Sequence, residues 1–380
     1  MPAHYKYGGS TATRTLKCPA WAHLSKDVPP SPTSAAAAEG TSMHAMFEKG
    51  IIDTEYVTEA DLGKVVEGVT VTQTMVDKVN IALDVQFEME FDKGCVRVNA
   101  EMKMELTEMI GGTADIVMYS QTDNVFCVGD LKTGDGLMVY ADDNDQLKFY
   151  TYLAVKEMRG EFDFNEQTKF YLYIIQPSDR RDEPLDVWET TLVDLISFGT
   201  EFEAKVKMAE TGKATPAAGS HCKYCPAEAL CPNKTGLSAS AMRLNPVMAE
   251  QLGEAMGMVE EVENWAKAVR KLAHEQAEQG VKITGWKLVS KRATRVWNDA
   301  PVIEKKLKLM KKLVLKDYTE QKLMSPAKLE QLCKRKSVDF KQFDEYISKH
   351  SSGTTLALES DKRPEQLPVA GLVAMANTIK

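Results

Sequence analysis

The chain has 380 residues, a formal net charge of −8, 43% hydrophobic residues and 27% charged ones, an ordinary globular composition with room for one large domain or two. There is no overall basic balance to argue for nucleic acid and no apolar run near the ~18 residues of a membrane span. The first residues contain no apolar signal core, so an intracellular protein is expected, and 7 cysteines in a reducing compartment are not expected to form a disulfide framework.

Residues 1–38 end in PPSPTSAAAA and read as loop or linker. From Gly40, the apolar positions Met43, Met46, Phe47 and Ile51 have helical spacing, with Thr41 or Ser42 as the cap. Helix can continue over 68–84. VQFEMEF (85–91) and VRVNAEMKMEL (96–106) alternate and predict strands. TADIVMY and VFCVGDLKT predict two more, joined by the turn residues QTDN at 121–124. An amphipathic helix follows at 145–158, a buried strand at 169–177 stopped by Pro177, and a helix ending near Gly212. This order predicts an α/β fold with a mixed central sheet flanked by helices.

The character changes beyond Pro232. A long helical pattern covers 246–279, a basic strand-like stretch runs from Lys282 to Trp297, and lysine-rich helices are expected over 301–350, with an irregular tail in the last 30 residues. Residues 301–350 hold 13 Lys or Arg against 7 Asp or Glu, a net of +6, which leaves −14 for the other 330. Two parts are expected, 1–240 and a mainly helical, locally basic 241–380. The lysines could track phosphates, and Trp286 and Trp297 among cations could suit a single strand; a solvated helical face is the plainer alternative.

Asp115 and Asp130 each sit inside an apolar strand pattern, where an acid is costly unless it is paired or binds a cation. A hairpin centred on QTDN sets 115 opposite about 130, so the two carboxylates can meet on one face. Lys132, two residues on, projects to the same side. Converging hard oxygens suit Mg²⁺ or Mn²⁺, and a neighbouring lysine can serve a water and offset charge on a phosphate. A surface hairpin with an Asp–Lys ion pair is the alternative.

Four segments stand in a fixed order over residues 40–150: GTSMH (40–44), GGTADIV (111–117), GDLKTG (129–134) and QLKFY (146–150). In these the sequence resembles the PD-(D/E)XK nuclease superfamily, specifically its RecB-like branch. The resemblance implies a restriction-endonuclease-like core. It also implies that His44, Asp115, Asp130 and the Leu131 carbonyl hold the metal, that Lys132 serves the attacking water, and that Gln146 and Tyr150 lie near the active site and the nucleic-acid strand. Gln146 and Tyr150 are four apart, hence on one helix face. Glu48, one turn after His44, reads as solvated, with a supporting place behind the metal ligands as the alternative.

Cys222-x2-Cys225-x5-Cys231 puts three thiols within ten residues, which in a reducing compartment suggests a metal site; Cys18 is a candidate fourth. This arrangement is similar to that of the iron–sulfur RecB-like nucleases of the AddB and CRISPR-adaptation type, which implies a 4Fe–4S cluster, with Zn²⁺ as the alternative. Cys95, Cys127 and Cys333 show no partner pattern and read as packed. The resemblance extends to phage and prophage proteins expected to be RecB-like exonucleases. It implies a metal-dependent deoxyribonuclease, an exonuclease, acting on DNA ends in the host cytoplasm, with a phage recombination or replication protein as a partner and no role at a membrane. The rival expectations are a non-catalytic module that binds DNA ends or a recombination partner, and a structure-specific endonuclease.

Overall fold

The computed structural model describes residues 5–366, apart from 29–32, 96, 179, 181–182, 242–248, 292, 311, 313–317, 319–324, 337 and 351–352. The chain divides into two compact units, Met1–Trp265 and Ala266–Lys380.

The first unit opens with two short helices, α1 (Ala12–Lys17) and α2 (Trp21–Leu24). Tyr7, Ala12 and Trp21 are buried, so this segment is core and not the expected linker. The alanines of PPSPTSAAAA are also helical. They open α3 (Ala35–Asp53), whose cap is Ser34, its Oγ accepting from the Ala37 N–H at 3.1 Å. The helix therefore starts well before the expected cap at Thr41 or Ser42, as the high helix propensity of alanine allows. A small hairpin of β1 (Val65–Val66) and β2 (Val69–Thr70) follows, where continuing helix was expected.

Helix α4 (Gln73–Asp92), capped by Thr72, takes in VQFEMEF, which was predicted as a strand. The buried positions Met75, Val76, Val79, Leu83, Gln86 and Met89 recur at helical spacing. Over 20 residues that period outweighs a short local alternation.

A five-stranded sheet then forms in the order β3 (Arg97–Thr107), β4 (Ile110–Ser120), β5 (Val125–Leu131), β6 (Lys169–Ile175), β7 (Leu185–Thr190). Its pairs are antiparallel except β5 with β6, so the sheet is mixed as expected. Edge strand β7 is an addition that the sequence reading did not mark. Between β5 and β6 lies α5 (Asp145–Glu157), and α6 (Leu192–Glu210) follows β7. Side chains of α3 and α4 pack with Ile116, Met118, Cys127 and Tyr173 in one core, while those of α5 and α6 pack with Val117, Phe126, Val128 and Leu172 in another. The sheet is thus covered on both faces, which accounts for the wholly apolar run of β5 around Asp130.

Helix α7 (Pro232–Ala241) and the long α8 (Ala249–Glu278) follow, and the division between the units falls within α8. In the second unit β8 (Trp286–Ser290) pairs with β11 (Thr354–Leu358), and β9 (Thr294–Trp297) with β10 (Ile347–His350). Helices α9 (Ala300–Lys308) and α10 (Pro326–Lys336) lie between them in sequence. Part of the lysine-rich 301–350 segment, and residues 367–380 of the expected tail, lie outside the described residues. Within what is described, 347–350 is strand and not helix, and 354–358 is strand and not irregular tail. Among the described residues no helix is long and apolar enough to cross a membrane.

Candidate active site and four-cysteine pocket

The β4–β5 hairpin turns over residues 121–124 and pairs Ile116 with Gly129, so Asp115 and Asp130 are opposite one another as the turn predicted. Both are buried. The ladder ends at Ile116–Gly129, and beyond it the Leu131 N–H donates to Asp115 Oδ2 at 2.7 Å. Asp115 therefore also satisfies a backbone group that the sheet leaves open.

Neighbouring strand β3 is irregular at the same level. Its pairing with β4 runs Ala100–Ile116 and then Met102–Ala114, so Glu101 and Asp115 step out of the ladder. Glu101 has a φ of 48°, a left-handed conformation that costs a non-glycine residue ~1–2 kcal/mol. Across Asp115 the alternation of β4 shifts: Ala114 and Val117, three apart, belong to the same core. The local kink aims Glu101, Asp115 and His44 of α3 at one point. His44 Nδ1 lies 3.3 Å from Asp115 Oδ1 and 3.6 Å from Glu101 Oε1. Their ligand atoms all fall within 4.8 Å, a group that could hold a metal ion. Burial alone would lower the His44 pKa, but Asp115 and Glu101 outweigh it and push the imidazole up to about 10.

Lys132 Nζ approaches Asp130 Oδ2 to 2.5 Å, an ion pair that offsets the charge of this buried oxygen. Gln146, at the start of α5, joins the pair: its Nε2 donates to Asp130 Oδ1 at 2.9 Å and its Oε1 accepts from Lys132 Nζ at 3.0 Å. Burial pushes Asp130 above the usual carboxylate range and Asp115 adds to it, while Lys132 and His44 pull it back. Burial opposes the charge on Lys132, but Asp130 more than restores it, so the lysine stays above its ordinary value and is a cation at neutral pH.

Tyr150 is buried one turn beyond Gln146, its hydroxyl 3.4 Å from Gln146 Nε2. A Cβ at Gly9 would meet the Tyr150 ring at 2.5 Å, and one at Gly112 at 2.9 Å. These two glycines let the ring approach the backbone closely, which gives Gly112 of GGTADIV a physical reason. His44, Asp115, Asp130, Leu131, Lys132, Gln146 and Tyr150 are thus linked in one neighbourhood by these contacts. Glu101 joins them and was missed, because a glutamate in an alternating strand reads as solvent-facing. Glu48, one helical turn from His44, is raised by burial and by Glu101, so it senses the site from its edge.

A second pocket gathers Cys18, at the end of α1, with Cys222, Cys225 and Cys231. All four are free thiols. Backbone N–H groups point at three of the sulfurs: Ala217 N–H donates to Cys18 Sγ at 3.4 Å, and the N–H groups of Gly219 and Ala227 hold the Cys222 and Cys225 thiols down against burial, which still pushes Cys225 up to about 11. Elsewhere, Cys95 and Cys127 are not isolated: their thiols share a hydrogen bond at 4.0 Å and form no disulfide. Cys333 is buried in the second unit's core, as expected of a packed cysteine.

The fold and the site together define a mixed α/β protein with a buried acid–lysine centre at one end of its sheet. The chain belongs to the family described as "Protein of unknown function (DUF2800)", which matches residues 4–364. Among solved structures, it is similar to a candidate exonuclease from Eubacterium rectale, at 15% identity over 58% of this chain and 86% of that one, with a TM-score of 0.33. It is also similar to the alkaline exonuclease LHK-Exo of Laribacter hongkongensis, at 10% identity over 53% of this chain and 92% of that one, with a TM-score of 0.20. Likenesses this remote carry no weight for activity.

Proposed function

We propose that this protein is a divalent-metal-dependent deoxyribonuclease of exonuclease type. The observation that carries the reading is the Gln146 amide holding Asp130 and Lys132 together, with Asp115, His44 and Glu101 beside them. A buried acid pair costs stability unless something offsets it. The donors suit Mg²⁺ or Mn²⁺: carboxylate oxygens and one imidazole. His44, Asp115, Asp130 and the Leu131 carbonyl would hold the ion, with Glu101 as a further carboxylate. When bound, such an ion polarises a phosphoryl oxygen and lowers the pKa of water.

The chain's own groups do the rest. Lys132, held as a cation, places positive charge where a phosphate gains negative charge. Gln146 fixes the lysine's direction, and Tyr150 closes the floor against the two glycines. The reading is tested with end-labelled linear DNA and closed circular DNA in Mn²⁺. Linear strands shortened from an end, with circles intact and no cleavage in chelator, support it. Linearised circles would support an endonuclease instead.

The cysteine pocket is read as a 4Fe–4S site. N–H groups aimed at sulfur suit thiolates. Zn²⁺ on the same four thiolates is the alternative.

A further inference from the structure

We propose that Arg14 is the counter-cation of an anionic metal centre held by Cys18, Cys222, Cys225 and Cys231. The inference rests on the metal reading of this pocket.

Arg14 lies on α1 one turn before Cys18 and lines the same pocket as the four thiols. Its guanidinium sits over the Trp21 ring at 5.1 Å, and its Nη2 donates to the Tyr224 carbonyl at 2.6 Å. Nε is buried and has no hydrogen-bond partner. Among the described residues no carboxylate pairs with it. The charges that bear on it are those of Cys225, Cys222 and Cys18, and they oppose the lowering that burial causes. Arg14 is half-buried, and a cation partly withdrawn from water without an anion is costly. The anion is missing from the protein's own side chains and is supplied when the thiols become thiolates around a metal.

The other cation of the pocket is arranged differently. Lys234 is 2% exposed and pairs with Glu261 and, at 3.9 Å, with Glu228. Glu228 itself lines the pocket. That lysine is already paired with carboxylates, whereas Arg14 has none beside it among the described residues. Four thiolates around a 4Fe–4S core, or around Zn²⁺, carry a net charge of about −2. The pairing holds for either metal, and the arginine's role is electrostatic rather than as a ligand.

The test uses full-length protein purified without oxygen: wild type, Arg14→Lys, Arg14→Gln and Arg14→Leu. Metal per folded molecule, the rate of metal loss to a chelator and, for iron, the midpoint potential are measured. Net charge sets the potential of such clusters. Arg14→Gln and Arg14→Leu should lose metal about tenfold faster, equivalent to ~1.4 kcal/mol, and show a more negative midpoint potential. Arg14→Lys should stay near wild type. The leucine variant keeps apolar packing on Trp21, so it remains informative should the glutamine variant fail to fold. Wild-type retention and potential in the charge-removed variants would overturn the proposal, as would a lysine variant as deficient as they are. Wild-type protein that binds neither iron nor zinc would overturn the metal reading itself, and this proposal with it.

Discussion

Asp115, Asp130 and Lys132 reach the acid centre from two neighbouring strands joined by a four-residue turn, whereas Cys18 meets Cys222, Cys225 and Cys231 across some two hundred residues of chain. The first assembly is local and works against the fold: two buried acids and a left-handed glutamate. The second is long-range and, once metal is bound, works for the fold by tying α1 to the segment after α6. The difference teaches where chemistry and stability reside. Strain and buried charge concentrate where a reaction is proposed, while four thiols gather where segments some two hundred residues apart meet.

Changes at the acid centre sharpen the comparison most. Asp130→Ala and Lys132→Ala should each reduce cleavage by about four orders of magnitude, ~5.5 kcal/mol of barrier, in steady-state assays; Asp130→Ala should keep its melting temperature, while Lys132→Ala, which strands the buried Asp130 without its cation, should lower it. The two changes together should cost little more than either alone, because Gln146 binds both groups into one unit.

The cysteine pocket should respond in the opposite sense. Cys18→Ala should release the metal and remove ~5 kcal/mol of stability, by analogy with a disulfide closing a loop of this length. Calorimetry should record that as a fall of about 10 °C in melting temperature. Cys95→Ala and Cys127→Ala, whose sulfurs lie outside the pocket, should leave metal content unchanged.

Much of this was legible in the sequence for definite reasons. The β4–β5 hairpin declared itself through two apolar runs and a turn of known length, so the register of Asp115 against Asp130 followed. Helix α5 showed an unbroken amphipathic period, which put Gln146 and Tyr150 on one face. VQFEMEF misled because seven residues fit a period of two as well as one of 3.6, and only the whole of α4 shows which period buries Val79, Leu83 and Met89. Glu101 could not be foreseen: its direction is set by a φ of 48° and a skipped ladder position, neither of which a residue type announces. Arg14 was hidden for another reason, since its segment looked like linker and its packing depends on residues two hundred positions away.

A smaller test concerns Glu101. Glu101→Gln keeps its size and removes its charge. Manganese titration should show metal affinity ~10–100-fold lower, the range expected for a group that supports a ligand set, with the Cys-pocket metal unchanged. Unaltered affinity would confine Glu101 to a structural part in the β3 kink.

The smallest expected effect lies between the two sites. Glu210, at the end of α6, accepts from Tyr7 and from Lys6, which fastens the N-terminal segment. Lys6 foremost, then Tyr7, holds its carboxyl below the ordinary range. A depressed acid contributes stability above its unfolded pKa, near ~4.3, and that contribution fades as pH falls through the depressed folded value. Chemical denaturation should find Glu210→Gln ~1 kcal/mol less stable than wild type at pH 7, a modest figure because the pair is partly exposed, with the gap closing in acid.

The most direct measurement is cleavage per folded molecule in Mn²⁺, made side by side on wild type, Asp130→Ala and Cys18→Ala, with folded fraction and metal content determined on the same preparations. The account predicts that Asp130→Ala is fully folded and inactive, and that Cys18→Ala is less folded but as active as wild type per folded molecule. Activity within about tenfold of wild type in Asp130→Ala, only ~1.4 kcal/mol of barrier, would contradict it, as would a folded Cys18→Ala protein with no cleavage.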